Sequence, residues 1–390
     1  MSNADATDTI RGRSPSQTAL SESDLNKKAL CDYVVNVADG CSHGCKFCYV
    51  PSMPQIWGDP GDKFAEAGIE DPSDEWGDYA LYREDVVANT ATDCYRIERT
   101  DPDWRTTRRG QGVVGISFGT DCYMDPRAGE LTRGVVAVLV GHERPVRILT
   151  RNPALCDSLH GEFYAGLPDD LVTIGTSIPS LDEERVDAIE PGAPPVEHRF
   201  RGLESLSDRG IRTFVSMSPT YPTQDHADLL CLLATIADRC DPEVVFHEPI
   251  NPRSGNIEGC IQAAAAGDCP GLANALRHIT FDSEWRHYAL RQLRDVQRAA
   301  EEVGQPVHLW PDSRLVKSAP ESSQREWCER WRSRPSSETI GDGPVGDDPY
   351  PPVPPIDRSE QGTLDAYAGG PDRRSIETTS NATTTTNSDQ

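Results

Sequence analysis

The sequence lacks any run of about 18 apolar residues, which is the length that a membrane-spanning helix requires. Residues 1–24 also lack the apolar segment of a secretory signal peptide, because they are polar and acidic. We therefore expect no membrane partner and a cytoplasmic location. With 390 residues, the chain has room for one large domain or two average ones.

Lysine is the scarcest of the charged residues, and it occurs at Lys27, Lys28, Lys46, Lys63 and Lys317. The chain has 38 Lys and Arg residues against 63 Asp and Glu residues, which gives a formal net charge of −25. An acidic composition with little lysine is typical of salt-accumulating halophiles. This composition lacks the excess of basic residues that most nucleic-acid-binding proteins have. At molar salt, however, counterion release contributes little, so an acidic halophile protein can still bind DNA through other contacts.

A fourth cysteine is missing beside the closely spaced cysteines of Cys41-Ser-His-Gly-Cys45-Lys-Phe-Cys48. Twelve cysteines in a chain without an export signal favour metal ligation in a reducing cytosol over a disulfide scaffold. A [4Fe–4S] cluster takes four ligands, normally thiolates, so three thiolates on one loop leave one iron open. The C-x3-C-x2-C spacing is the signature of enzymes that cleave S-adenosylmethionine at that iron.

The triplet therefore predicts a radical S-adenosylmethionine enzyme in which Cys41, Cys45 and Cys48 hold the [4Fe–4S] cluster. We expect reductive cleavage of S-adenosylmethionine to a 5′-deoxyadenosyl radical, which abstracts hydrogen from an unidentified substrate. Such chemistry needs a one-electron donor, and a ferredoxin or flavodoxin is the expected type of partner.

The alternative is a non-enzymatic module in which the triplet holds zinc, together with His43 or a distant ligand. Structural zinc sites usually consist of two paired-ligand clusters separated by a loop. Here the nearest other thiols are Cys31 and Cys94, and neither belongs to a C-x2-C pair. The spacing therefore favours the iron–sulfur cluster over zinc.

Short β-branched runs alternate with longer helical patterns through the middle of the chain. The predicted strands are 34–37, 113–118, 146–150, 171–177, 211–217 and 244–247, with an optional seventh at 307–310. The predicted helices are 134–141, 153–161, 199–210, 225–239 and 284–302. This alternation predicts an α/β fold with a parallel sheet covered by helices. Six strand–helix units predict a partial (β/α)6 TIM-type barrel rather than a complete eight-unit barrel.

The composition divides the chain into three parts. Residues 1–28 show no apolar periodicity and predict a disordered acidic arm, whereas residues 29–332 predict the partial barrel. Within the barrel, residues 58–80 are rich in Gly, Asp, Glu and Pro and predict an inserted acidic loop. Residues 333–390 are rich in Pro, Ser, Thr and Asp and predict a disordered tail.

Several blocks resemble the spore-photoproduct-lyase-like radical enzymes, also called DNA-repair-photolyase-like. That family has a strand ending in Ser/Thr-x-Thr-Asp, followed by a Tyr and a Leu-Thr-Arg. The matching blocks are 113–126 with 130–133, then 146–152, 172–177, the Glu-Pro turn at 189–194, and Arg199. The resemblance covers about residues 31–255. It implies DNA-lesion repair as a family-level analogy, and a radical enzyme acting on a substrate other than DNA is the alternative.

The candidate cofactor contacts follow predicted strands, because the active sites of such barrels lie at the carboxyl-terminal mouth. They are Thr120, Asp121, Arg151 and Ser177, together with Phe47, an apolar residue that can pack against the adenine. We expect Asp121 to accept from the ammonium group or the ribose hydroxyls. Arg151 stands where the family has lysine, and it can pair with the carboxylate. Alternatively, Asp121 caps the following turn and Ser177 bonds to backbone.

Cys122 is the candidate hydrogen-atom donor. Spore photoproduct lyase carries its hydrogen-donating cysteine immediately before the Thr of the second-strand motif, and the matching position here is Gly119. Cys122 is the nearest thiol and would lie at the barrel mouth. The alternative is that Cys122 is a small apolar core residue, which is the common role of a free cysteine.

Overall fold

Eleven strands form in the described part of this computed structural model, which comprises residues 9–333 except 17, 26–29, 54–55, 57–61, 101–111 and 253–254. In chain order they are β1 (Ile10–Arg13), β2 (Ser21–Glu22), β3 (Tyr33–Val35), β4 (Ala38–Gly40), β5 (Tyr79–Tyr82), β6 (Val114–Ile116), β7 (Val146–Leu149), β8 (Val172–Ser177), β9 (Arg212–Thr220), β10 (Val244–Pro249) and β11 (Val307–Leu309).

Eight of these strands form the main sheet, in the order β11-β10-β9-β8-β7-β6-β3-β2. The neighbouring strands are parallel except for β2 and β3, which are antiparallel. The end strands β11 and β2 are not paired with each other in the described residues, so the sheet stays open. The prediction of an α/β fold with a parallel sheet and a partial rather than closed barrel is confirmed.

The predicted strands are all present, including the optional seventh, which is β11. Their β-branched residues are buried, as Val114, Ile116 and Ile148 illustrate with no exposed surface. Such side chains suit a sheet that is covered on both faces, where apolar residues pack without alternation.

Twelve helices connect and cover the strands of the described chain. They are α1 (Asp62–Glu66), α2 (Val86–Thr100), α3 (Pro126–Gly141), α4 (Pro153–Ala165), α5 (Glu183–Ile189), α6 (Val196–Asp208), α7 (His226–Cys240), α8 (Asn256–Ala266), α9 (Pro270–His278), α10 (Asp282–Val303), α11 (Ser313–Ser318) and α12 (Ser322–Ser333). None of them is both long and apolar enough to cross a membrane.

Local capping sets where the helices begin. Asp125 accepts a hydrogen bond from the backbone of Ala128, and Pro126 occupies the first turn, so α3 begins eight residues before the predicted start at Gly134. Asn152 and Pro153 start α4 in the same way. These caps place the residues that precede α3 and α4 at the carboxyl-terminal edge of the sheet.

The main hydrophobic core lies between the sheet and the helices. Val215 and Met217 of β9 belong to it, together with Leu203 of α6 and Leu232 of α7. Alternate residues of the same strand point the other way. Phe214 of β9 belongs to a separate apolar cluster on the opposite face of the sheet.

The N-terminal segment is more ordered than its composition predicts. Within the predicted disordered arm, β1 pairs in parallel with β5, and β2 pairs with the edge strand β3. The expectation of a disordered arm is therefore wrong for these two strands, because partners distant in the sequence satisfy their backbone groups. Residues 1–8, 17 and 26–28 of the predicted arm lie outside the described residues.

The predicted acidic loop at 58–80 also forms regular structure. It contains α1, and its last residues begin β5, which joins β1 and β4 in a three-stranded sheet. Phe64 and Tyr79 are buried in a small separate core beneath this sheet. The expectation of a loop is corrected accordingly. The predicted tail lies outside the described residues from residue 334 onward.

Candidate functional site

The cysteine triplet occupies a tight loop directly after β4. Cys41 and Cys45 are buried, with 9% and 8% of their surface exposed, and Cys48 is half-buried. The backbone N–H of Cys48 donates to the carbonyl of Cys45 over 3.1 Å. Gly44 has a φ of +56°, and a β-carbon there would lie 3.3 Å from the α-carbon of Gly77. The positive φ therefore favours glycine at this turn, and the close contact leaves little space for a side chain.

The cysteine loop packs against the Glu-Pro turn that follows α5. The N–H of Lys46 donates to the carbonyl of Ile189 over 2.9 Å, and the N–H of Gly192 donates to the carbonyl of His43 over 3.1 Å. A β-carbon on Gly192 would lie 2.4 Å from the carbonyl oxygen of Ser42. The two backbones therefore approach more closely than any residue other than glycine permits.

Glu190, in this turn, is a buried carboxylate between two arginines. Its Oε2 lies 2.9 Å from Nε of Arg151 and 2.7 Å from a terminal nitrogen of Arg199. Burial alone would raise the pKa of Glu190, but the two arginines outweigh it and hold that pKa below its usual value. The Arg151 guanidinium also lies 5.1 Å from the centre of the Phe47 ring, in a cation–π contact.

Asp121 joins the loops after β6 and β7. Its Oδ1 accepts from the N–H of Tyr123 over 2.8 Å and from the hydroxyl of Thr150 over 2.6 Å. Its Oδ2 accepts from the N–H of Arg151 over 2.7 Å and lies 3.5 Å from Nδ1 of His43. Burial alone would raise the pKa of Asp121, but the neighbouring His43 and these hydrogen bonds hold it well below its usual range. Asp121 thereby fixes Arg151 relative to the cysteine loop.

The remaining sequence-predicted contacts lie around the same loops. The hydroxyl of Thr120 donates to the carbonyl of Gly40, immediately before Cys41. Ser177, at the end of β8, is buried, and its backbone carbonyl accepts from Arg199 over 3.0 Å. The structure thus brings Phe47 and Arg151 into contact and ties Thr120 to the start of the cysteine loop. Contact of any of these residues with S-adenosylmethionine stays a prediction.

The thiols of the triplet lie in surroundings that disfavour free thiolates. Burial raises the pKa of Cys41 to about 12 and raises that of Cys45 well above its usual value. Burial also raises the pKa of Cys48, and the charge of Arg151 works in the opposite direction at all three thiols.

A bound metal replaces the thiol proton, since coordination deprotonates a thiol outright. Among the described residues, no group of three or more His, Cys, Asp or Glu side chains lies within the distances of a preformed metal site. The donor chemistry nevertheless fits a metal cluster, because three thiols, two of them buried and one half-buried, share one short loop.

Cys122 lies in the main hydrophobic core with no exposed surface. Its sulfur is 3.7 Å from the carbonyl oxygen of Leu149, and burial raises the pKa of its thiol. At Gly119, where spore photoproduct lyase has its donor cysteine, a β-carbon would lie 3.2 Å from the side-chain oxygen of Asn36. The surroundings of Cys122 match the core-residue alternative, and its role as a hydrogen donor stays a prediction.

A small cavity of about 70 Å³ lies at the opposite face of the sheet from the main core. Its lining combines aromatic rings with polar side chains, among them Phe214 and Ser218 of β9, Glu248 of β10, and Trp310 just after β11. The Arg147 guanidinium lies over the rings of Phe214 and Phe246.

Sequence reasoning missed three features of this site. The sequence pattern assigns no role to Glu190 and Arg199, which the structure joins in a buried ion pair. The same reasoning treated His43 solely as a zinc ligand, whereas its ring faces Asp121. Trp76 belongs to the small separate core against which Cys48 packs, although the acidic composition of its segment gives no signal of this.

The fold and the site together define an α/β protein whose buried cysteine loop lies at the carboxyl-terminal edge of an open parallel sheet. No model of a known protein family matches the sequence. The uncharacterized protein ORF301 of Acidianus two-tailed virus is 27% identical over 253 residues, which is 63% of this chain and 76% of that protein. The uncharacterized protein Rv2578c of Mycobacterium tuberculosis is 25% identical over 206 residues, or 51% of this chain. The match spans 53% of the mycobacterial protein, about half of its length.

The solved structures that the chain resembles include spore photoproduct lyase and Streptococcus suis SuiB, both with TM-scores below 0.5. A mutant of spore photoproduct lyase is 13% identical to this chain, with a TM-score of 0.47. The match covers 65% of this chain and 66% of the lyase chain. Streptococcus suis SuiB bound to S-adenosylmethionine is 13% identical to this chain, with a TM-score of 0.42. The match covers 75% of this chain and 54% of the SuiB chain.

Proposed function

We propose that this chain is a radical S-adenosylmethionine enzyme of the spore-photoproduct-lyase-like family. The observation that carries the proposal is the C-x3-C-x2-C loop, in which Cys41 and Cys45 are buried and Cys48 is half-buried at the carboxyl-terminal edge of the parallel sheet. Cys41, Cys45 and Cys48 would hold a [4Fe–4S] cluster. When bound, such a cluster supplies the electron that cleaves S-adenosylmethionine to methionine and a 5′-deoxyadenosyl radical.

The charges around the loop suit a zwitterionic amino-acid group. The charge of Arg151 opposes the rise that burial causes in the pKa of Cys45, and a guanidinium is the natural partner of a carboxylate. Oε1 of Glu190 and the hydroxyl of Tyr221 are buried and have no hydrogen-bond partner among the described residues. Because buried polar groups are normally hydrogen-bonded, these two atoms favour a bound polar ligand with donor groups. An ammonium group meets that need at Glu190.

The other residues would bind or orient the cofactor, or exclude water from it. Phe47 is held over Arg151 and supplies an apolar wall for the adenine. Asp121 fixes the backbone of Arg151, and Thr120 ties its own loop to the start of the cysteine loop. The burial of the thiols keeps water from the radical, which would otherwise be quenched.

The substrate is proposed by analogy alone. The Thr-Asp, Leu-Thr-Arg and Glu-Pro blocks resemble enzymes that act on DNA lesions, so a DNA photoproduct is our leading candidate. Glycine at position 119 favours the second candidate, a radical enzyme acting on another substrate, because the matching donor cysteine is replaced. The electron donor would be of the ferredoxin or flavodoxin type. All twelve cysteines are unpaired, which fits a reducing, cytoplasmic location.

The test begins with anaerobic reconstitution and measurement of iron and sulfide. We expect both elements in the wild-type protein and their loss from Cys41→Ala, Cys45→Ala and Cys48→Ala. The matched control is Cys231→Ala, since Cys231 is exposed and distant from the triplet in the sequence. Zinc without sulfide would favour the non-enzymatic alternative instead.

Activity is tested separately with dithionite and S-adenosylmethionine. Release of 5′-deoxyadenosine from the reconstituted wild-type protein supports the enzyme class. The same assay with and without dimer-containing DNA then tests the substrate. If such DNA neither increases the release nor yields a repaired product, the repair analogy fails and the second candidate stands.

A further inference from the structure

Asn251, in the loop that follows β10, carries a buried acceptor without a partner. Its Nδ2 donates to Oε1 of Glu248 over 2.6 Å. An ionised carboxylate accepts hydrogen bonds and donates none, so this contact fixes which end of the Asn251 amide faces Glu248. Oδ1 lies at the other end of the amide and is buried, and none of the described residues donates a hydrogen bond to it. Because buried polar atoms are normally hydrogen-bonded, Oδ1 favours a bound ligand with a donor group.

Glu248 is itself held in place at the end of β10. Its N–H donates to the hydroxyl of Ser218 over 2.7 Å. Both residues line the small cavity of about 70 Å³, together with the aromatic rings of Phe246 and Trp310. Asn251 therefore contacts a carboxylate in the wall of an aromatic-lined cavity, and this contact sets the direction in which its own acceptor points.

The loop that carries Asn251 is tied to the cysteine loop. Nδ2 of Asn256, the first residue of α8, donates to the carbonyl of Asn251 over 2.9 Å and to the carbonyl of Phe47 over 3.3 Å. The helix packs on the same loop, since a β-carbon on Gly259 would lie 3.4 Å from the carbonyl oxygen of Lys46. The backbones of Asn251 and Phe47 are thus joined through a single side chain.

The acceptor beside Phe47 matches an aromatic ring that carries an amino group. Phe47 is the proposed apolar wall for the adenine, whereas Arg151 and Glu190 are the proposed partners of the amino-acid group. Adenine has an exocyclic amino group with two N–H donors, and a side-chain amide of asparagine is a common partner of this edge of the base. An acceptor that is fixed in direction selects the amino edge over a ring edge that carries a carbonyl oxygen.

We propose that Asn251 is a specificity-determining residue for the cofactor, whose Oδ1 accepts a hydrogen bond from the exocyclic amino group of the adenine of S-adenosylmethionine. This inference rests on the proposed function, since it requires that cofactor beside Phe47. A site with a buried acceptor discriminates against a ligand that lacks the donor, because the acceptor is then left unpaired.

The decisive measurement is the affinity of the reconstituted protein for S-adenosylhomocysteine, obtained by isothermal titration calorimetry. This ligand carries the same adenine and has no sulfonium bond to cleave. It is compared with its deaminated purine analogue, in which hydrogen replaces the exocyclic amino group. We expect the wild-type protein to bind the analogue about tenfold more weakly. In Asn251→Leu, which has a similar shape but no acceptor, the two ligands should bind with about equal affinity.

The ratio of the two affinities is insensitive to a general loss of stability, because both ligands are measured on the same protein. Asn251→Ala provides the same comparison with a smaller side chain if the leucine variant does not fold. Asn274→Leu is the matched control, because Asn274 is exposed on α9 and accepts a hydrogen bond from Arg277 over 2.7 Å. It should keep the wild-type preference for the amino group.

The outcomes distinguish this inference from the proposed function. A wild-type protein that assembles no iron and sulfide, or that does not bind S-adenosylhomocysteine, overturns both. A wild-type protein that assembles the cluster and binds the two ligands with equal affinity overturns the role of Asn251 alone. A tenfold preference that persists in the Asn251 variants would also overturn it, because another acceptor would then bind the amino group.

Discussion

Arg151, just after β7, and Glu190, just after α5, form a buried ion pair with Nε and Oε2 2.9 Å apart. The pair links the edge of the main sheet to the turn that packs on the cysteine loop. Arg199 of α6 shares the same carboxylate oxygen, so two arginines contact one carboxylate. The charge of Arg151 opposes the rise that burial causes in the pKa of Cys45, so it would stabilise an anionic cluster there.

Removing one partner of this pair should destabilise the protein strongly. We expect Arg151→Met to lower the free energy of unfolding by about 3 kcal/mol, because the change leaves a buried carboxylate with one partner fewer. Urea denaturation of the protein without cluster, at neutral pH, measures the effect.

The coupling within this ion pair is tested by a double-mutant cycle that combines Arg151→Met with Glu190→Gln. If the pair is coupled as the distance indicates, the double variant should lose less stability than the sum of the single variants, by about 0.5–3 kcal/mol. Strictly additive losses would show that the contact contributes no coupling energy.

The contact between the Glu-Pro turn and the cysteine loop predicts a second effect. Gly192→Ala places a methyl group 2.4 Å from the Ser42 carbonyl oxygen, so the two backbones must separate. We expect a loss of about 1–3 kcal/mol in the free energy of unfolding and a lower iron content after reconstitution. Both are measured on the same preparation.

Gly271→Ala is the control for this substitution. Gly271 lies in the first turn of α9, and no atom lies within 4 Å of the position of its added β-carbon. The free energy of unfolding should rise by about 0.4–1 kcal/mol, since alanine restricts the unfolded chain. Equal losses in both variants would contradict the proposed contact.

A buried tyrosine network behind Asp121 predicts a third effect. The hydroxyl of Tyr123 lies 2.7 Å from that of Tyr164 and 3.0 Å from Nδ1 of His160. Tyr123→Phe leaves both partners without this hydrogen bond, and we expect a loss of about 1–3 kcal/mol in the free energy of unfolding. Tyr95→Phe serves as control, because Tyr95 is 63% exposed and its change should stay within about 0.5 kcal/mol. Urea denaturation that gives equal values for both variants would refute the argument.

The sheet could be predicted from the sequence because most of its strands are marked by short β-branched runs, which are local patterns. Runs such as 146–149 and 172–177 are β-branched and lie between helical patterns, and each forms a strand at that place. By contrast, β1 is short and polar, and it is a strand because Ile10 pairs with Tyr79, far along the chain. No local pattern carries that information.

The site was predictable to the same extent. The spacing of the three cysteines predicts cluster ligands. Arg151 follows a predicted strand, so it could be predicted as a cofactor contact. The burial of Glu190 depends on Arg151 and Arg199, which the fold brings to it from other elements. Trp76 belongs to a segment rich in acidic residues and glycine, and its place in the small separate core against which Cys48 packs arises from tertiary packing. Such contacts are properties of the folded chain rather than of a pattern.

His247 predicts a pH dependence of stability. Its Nδ1 donates to the carbonyl of Met217 over 2.8 Å, and its Nε2 is buried without a hydrogen-bond partner among the described residues. Burial lowers the pKa of His247 from 6.5 to about 4. Between these values the unfolded chain binds a proton and the folded chain does not, so stability falls as pH falls. The contribution is fully present above pH 6.5 and is lost progressively down to about pH 4.

The size of this contribution follows from the two pKa values. Each pKa unit corresponds to about 1.4 kcal/mol, so the lowering of the His247 pKa from 6.5 to about 4 corresponds to about 3 kcal/mol in the free energy of unfolding. We expect His247→Gln to be less stable than the wild type at pH 7 and to lose less stability on acidification to pH 5. The matched control His198→Gln, at an exposed position of α6, should keep the wild-type slope. Urea denaturation at several pH values measures these slopes, and an unchanged slope in His247→Gln would show that the buried imidazole does not stay neutral in the folded chain.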